Sequence, residues 1–163
     1  MPIITPAHWH VLLNHLPIMG VPLTALLLCW GLFRRHDVVI RAALYGALLM
    51  AAGSVVVDQL GDAAKDNIEH EAWANRDLIR AHEDAADYAN TAALVTGALA
   101  LVVLVMARGG KPVRFAGAIV VLLALLITAS AMARTGWEGG KIRHSEFDVS
   151  GPPTSQGITD NDS

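Results

Sequence analysis

Residues 115–133 read FAGAIVVLLALLITASAMA, without one charged side chain. About 18 consecutive apolar residues are enough for a helix to cross the hydrocarbon layer of a bilayer. Working outward from this run, three more apolar blocks lie at Trp9–Phe33, Ala42–Val57 and Ala85–Ala107. The second is the shortest, but Leu60, Ala63 and Ala64 allow it to continue past Asp58. Hydrophobic residues make up 53% of the 163 and are gathered into these blocks rather than spread along the chain. A helix of a soluble bundle would carry charge on its outer face at every turn, and the interiors of these blocks carry none. The expected fold is therefore all-α, a four-transmembrane-helix up-and-down bundle spanning residues 1–148. The remainder, VSGPPTSQGITDNDS (149–163), is small, polar and rich in Pro and Gly, and reads as a disordered tail.

The connections set the expected orientation. RRHDVVIR (34–41) has three Arg against one Asp, and RGGKPVR (108–114) has three basic residues and no acid. Asp58–Asp84, between the second and third spans, holds eight acids and three bases. Short basic loops stay in the cytoplasm, which places both termini and the acidic segment on the outer face, the periplasm if the cell is Gram-negative. The start of the chain lacks the basic region of a secretory signal. Instead Thr5 reads as a helix N-cap with Pro6 at the first helical position. Cys29 is a lone cysteine, which rules out an internal disulfide and a Cys-x-x-Cys-His haem attachment. It reads as a small apolar core residue.

With that orientation, His8, His10, His15, His70, His82 and His144 all fall at the outer boundary, and only His36 lies in a basic inner loop, where it is solvated. His8 and His15 share a helix face; His10 and His15 lie about 140° apart and about 7.5 Å along the axis. Pro17 and Pro22 remove the partners of the Leu13 and Ile18 carbonyls, a break that often flanks a site in a membrane helix. The bland reading of these imidazoles is interfacial capping, which suits His8 better than the deeper His15 beside Asn14.

Asn75 is an N-cap candidate for the third span. Beyond His82, the same face continues through Ala86, Ala89, Ala93 and Gly97. Such small residues either leave a slot for a flat macrocycle or serve close helix packing. Glu83 is a candidate ligand or proton acceptor, against the plainer reading of a solvated carboxylate. Asp58 and Asp62 share a face and either bind a cation, relay protons or simply end the span. After the fourth span, TGWEGGKIRHSEF (135–147) offers Gly136, Gly139 and Gly140 for a sharp turn. Ile142 and Phe147 would then fold the strip back and return His144 towards the first and third spans. Trp9, Trp73 and Trp137 suit the headgroup level. No phosphate loop, dinucleotide fingerprint, nucleophile elbow or basic stripe for nucleic acid is present, so no independent enzyme activity is expected.

The blocks WHVLLNHLPIMG (9–20), AHEDAADYANTAALVTGALAL (81–101) and TGWEGGKIRHSEF (135–147) resemble the signatures of an uncharacterised group of bacterial four-helix inner-membrane proteins. That pattern has a histidine ahead of Asn-His-x-Pro, a His-Glu pair opening the third helix, and Gly-Gly-x-Ile-Arg-His-x-Glu after the fourth. The resemblance covers residues 8–147. It singles out His10, His15, His82 and His144 and demotes His8 and His70. VVVDQLGDAAKDNIE (55–69) departs from the Thr-Gly-Glu-rich version of the group, so no role is carried onto Asp58 or Asp62. No activity comes with the resemblance.

Chemistry supplies three readings. Two imidazoles on facing helices, with small residues such as Ala86, Ala89 and Ala93 beside them, could ligate haem b for electron transfer. The pair expected is His15 with His82. His10 and His144 would then hold a second haem or, with Arg143, bind propionates. Electrons would pass between a quinol or membrane redox enzyme and a periplasmic carrier. The alternative is a non-haem Zn, Cu or Fe site using His10, His15, His82 and His144, with Glu83, Glu146 or Asp58 as further donors. The third is an accessory subunit of a homo- or hetero-oligomeric complex, its histidines forming a hydrogen-bonded cap.

Overall fold

The computed structural model describes residues 5–68 and 75–143 of the chain. Among them every regular element is helical: α1 Pro6–Leu13, α2 His15–Phe33, α3 Asp37–Ile68, α4 Arg76–Met106 and α5 Phe115–Arg143. Four stretches are long and apolar enough to cross a membrane: Pro6–Phe33, Asp37–Lys65, Arg76–Met106 and Phe115–Ile142. Helices satisfy every backbone donor and acceptor within the segment, which a bilayer core without water demands.

The spans form a square, up-and-down bundle. α3 and α5 each pack on both α2 and α4, the diagonal α3–α5 pair touches little, and α1 leans on α3. Val21, Leu28, Leu44, Val121, Leu125 and Thr128 are the largest side chains sealed at the centre. Leu23, Leu26, Trp30, Leu49, Val102, Leu123 and Ile127 face outward. An apolar exterior is the arrangement a lipid solvent favours, because burying such residues there gains no hydrophobic energy.

The first span is broken where Pro17 lacks an amide hydrogen. The chain leaves the helix at Asn14 and resumes at His15, with the Ile18 N–H donating to the Asn14 carbonyl at 3.3 Å. At the start of α1, Thr5 is the N-cap and Pro6 the first helical residue, as the sequence indicates. Asn75 caps α4, its Oδ1 accepting the N–H groups of Asp77 and Leu78.

At the basic end, Arg41 joins the two hairpin connections. Its Nε donates to Asp37 Oδ2 at 2.6 Å, and its Nη2 donates to the carbonyls of Ala107 and Lys111. The other oxygen of Asp37 accepts the Val113 N–H at 2.7 Å. Gly109 and Gly110, with φ of 69° and 77°, supply the left-handed backbone that brings the second loop within reach.

Two sequence expectations are corrected. α5 does not turn at Gly136–Gly140 but stays helical to Arg143. Gly139 is used for close approach to α4, and Glu138 with Lys141 forms an ion pair one turn apart at 3.0 Å that supports the helix. Cys29 is not a core residue: it is exposed on the outer face of α2. His70, Trp73, His144, Glu146, Phe147, the tail 149–163 and the side chain of Arg143 lie outside the described residues.

Candidate functional site

α1 and α4 bring two imidazoles together at the acidic end of the bundle. The ring centres of His10 and His82 lie 6.4 Å apart, with their planes at 88°. His10 Nδ1 lies 3.0 Å from the Val57 carbonyl of α3. His82 Nδ1 lies 3.0 Å from the Thr135 carbonyl of α5. A carbonyl can only accept, so each ring carries a proton on Nδ1, which in a neutral imidazole leaves the electron pair on Nε2. The pair is thus held by contacts to all four spans.

Glycine makes that approach possible. A Cβ on Gly61 would stand 3.1 Å from His10 Cε1, and one on Gly139 would stand 3.0 Å from His82 Cε1. Thr135 fixes the second contact further, its hydroxyl lying 2.9 Å from the Ala85 carbonyl and 3.1 Å from that of Ala131. α4 and α5 are therefore tied in both directions at the depth of His82.

The partner of His82 is His10 and not His15. His15 is exposed, and its Nδ1 bonds back to the Val11 carbonyl of its own helical segment at 2.9 Å. Five residues beyond His10, it lies about 140° around the helix and so on a different face. His8 is also exposed and serves α1 as a cap, 2.7 Å from the Thr5 hydroxyl. His36 is exposed in the basic turn.

The small-residue stripe on α4 is closed by packing. Ala89, Ala93 and Gly97 are buried, and a Cβ on Gly97 would stand 2.6 Å from that of Ala51. Ala86 alone of the expected slot residues stays half-buried. Close helix contact is thus the use of this stripe below the first turn after His82.

Beneath the imidazoles lies a polar chain that the sequence reading did not identify. Asn90 Nδ2 donates to Asp58 Oδ2 at 2.9 Å, and Ser54 Oγ lies 2.9 Å from Asn90 Oδ1. His10, Asp62 and Asp87 lie within electrostatic range of Asp58. The available signal was Asn90 itself, an amide inside an apolar helix that must find a partner. Glu83, the other acidic candidate, is paired with Lys65 across α3 and α4 at 2.6 Å. Among the described residues no three His, Cys, Asp or Glu side chains converge closely enough to hold a metal ion.

No family model matches the chain, and neither a curated protein nor a solved structure matches it.

Proposed function

We propose that the chain is a haem-b-binding integral membrane protein for electron transfer at the periplasmic side of a bacterial inner membrane, in which His10 and His82 would hold the haem. The observation that carries this reading is the close pair of imidazoles, 6.4 Å between centres, each with Nδ1 committed to a carbonyl. Brought this close from α1 and α4, they would be the residues that hold the haem. Two imidazoles also complete the protein's share of a haem iron, whereas a bare metal ion needs more donors.

Haem bound there supplies a reversible one-electron couple. The chain's own part is to orient and protect. The Val57 and Thr135 carbonyls would fix the tautomer and the orientation of each ring. Gly61 and Gly139 admit the rings between helices, and Ala86 is the small neighbour one turn along α4. Arg143 ends α5 and His144 follows it in sequence, which makes them the proposed partners of the propionates.

The basic residues of 34–41 and 108–114 support a cytoplasmic position for the opposite end, and so a periplasmic one for the pair. Electrons would enter from a quinol or a membrane redox enzyme and leave to a periplasmic carrier. The family resemblance supports adding His144 to the site but supplies no activity.

The second reading is a non-haem Zn, Cu or Fe site in which His144 would join His10 and His82.

The test is the absorption spectrum of the detergent-solubilised protein from haem-replete cells, oxidised and then reduced with dithionite. The haem reading expects a Soret band that shifts on reduction, is lost in His10→Ala and His82→Ala, and survives in His15→Gln and His8→Gln. Stoichiometric metal without a Soret band, lost in His144→Ala, selects the second reading. Neither signal, with normal assembly, selects the accessory role.

A further inference from the structure

At the end of the bundle remote from His10 and His82, the tips of α4 and α5 enclose an apolar groove of about 160 Å³. It is lined by Val103, Met106, Ala107, Arg114, Ala116 and Gly117. Arg114 is the only polar side chain in this lining. Arg108 and Lys111, in the loop joining the same two helices, are exposed. The only acid within residues 31–45 and 100–120 is Asp37. Both of its oxygens are occupied, one by Arg41 and one by the Val113 N–H. This end therefore presents cations with no free carboxylate, above a greasy cleft open to the membrane side of the bundle.

We infer that this groove binds one acyl chain of an anionic phospholipid whose phosphate is held by Arg114 with Arg108 and Lys111. The chemistry follows from the lining. Methylene groups of a lipid tail fit the Val103, Met106 and Gly117 walls. The Arg114 guanidinium in the lining, with Arg108 and Lys111 exposed on the adjoining loop, matches a phosphodiester, which Arg can engage with two parallel hydrogen bonds. A zwitterionic lipid brings its own ammonium or choline group, for which this end has no carboxylate to offer. Arg41 contributes indirectly, by bonding the Ala107 and Lys111 carbonyls and so fixing the loop that carries the cations. The inference does not depend on the haem reading, since it concerns the opposite end of the bundle.

The experiment is native mass spectrometry of the full chain released from mixed bilayers of phosphatidylglycerol and phosphatidylcholine with identical acyl chains. Retention of phosphatidylglycerol over phosphatidylcholine is expected, falling about fivefold in Arg114→Gln, the loss for one cation facing an anionic headgroup. Ala116→Phe fills the groove from an exposed position and should abolish retention of both lipids while leaving helical content unchanged. Inorganic phosphate added at millimolar concentration should not displace the lipid, because it brings no chain for the groove. Equal retention of the two lipids by the unaltered protein overturns the proposal. So does undiminished phosphatidylglycerol binding in Arg114→Gln, or complete displacement by phosphate.

Discussion

Gly139 lies so close to His82 that a Cβ on it would stand 3.0 Å from Cε1 and 3.1 Å from Nδ1. The imidazole rests on the bare backbone of α5 while its Nδ1–H reaches the Thr135 carbonyl one turn earlier. A methyl group at position 139 would push the ring off that carbonyl without touching the core of the bundle. On the proposed haem reading, Gly139→Ala would weaken haem binding about tenfold, the scale of losing a contact that orients a ligand. Gly61→Ala should act the same way through His10, whose Cε1 is 3.1 Å from the corresponding position. Titration of the purified apoprotein with haemin, followed at the Soret band, measures the change, and circular dichroism should show the helices unaltered.

Two other glycines separate rigid from yielding contacts. On Gly97 a Cβ would stand 2.6 Å from the Cβ of Ala51, an atom fixed to the backbone of α3; on Gly20 it would meet the Sδ of Met50. Methionine can rotate away, since its side chain has three flexible bonds. Gly97→Ala must instead force α3 and α4 apart, at about 1–3 kcal/mol. Gly20→Ala should be near neutral, because the gain of roughly 1 kcal/mol in helix propensity offsets the shift of Met50. Denaturation by SDS in a fixed micelle ranks the two; equal losses would show that the α3–α4 contact is softer than drawn here.

Arg41 donates in three directions: to Asp37, to Ala107 and to Lys111. A lysine has the charge but no planar fork, so it can serve one of these acceptors and not all. Arg41→Ala is expected to cost about 2 kcal/mol, the scale of hydrogen bonds to a charged group at a partly exposed site. Arg41→Lys should recover less than half of that. The loop 108–114 should become more open to protease in both variants, which limited proteolysis of the detergent-solubilised protein would reveal.

The four spans were legible because lipid solvent imposes a crude rule, length and apolarity, that single blocks such as Phe115–Ala133 obey by themselves. Thr5 and Asn75 were legible as caps because a cap is a local bond between neighbours in sequence. Pairing was not. Choosing between His10 and His15, about 140° apart around the first span, required knowing which face of that span packs against α3. Gly139 was seen as a turn because glycine permits both a bend and a close contact, and only the position of His82 on another helix decides between them. The alanine stripe posed the same choice between slot and contact. There Ala51, on α3, fills the space.

Asn90 links Asp58 and Ser54 inside the bundle, so its loss should depend on what is left behind. Nδ2 donates to Asp58 Oδ2 and Oδ1 lies 2.9 Å from Ser54 Oγ. Hydrogen bonds between membrane helices average only about 0.6 kcal/mol, so two lost bonds account for roughly 1 kcal/mol. Asn90→Ala also strips a half-buried carboxylate of its donor, which adds about 1–3 kcal/mol. Asp58→Asn behaves differently: its amide oxygen can still accept from Asn90, so the change should be within about 0.5 kcal/mol of neutral. The double variant Asp58→Asn with Asn90→Ala should then be more stable than Asn90→Ala alone, because the group left without a donor is no longer a carboxylate. Thermal unfolding of the four proteins in one detergent closes the cycle. If Asp58→Asn proves as damaging as Asn90→Ala, the carboxylate makes a contact beyond the one to Asn90, and the energy assigned to this chain of bonds is wrong.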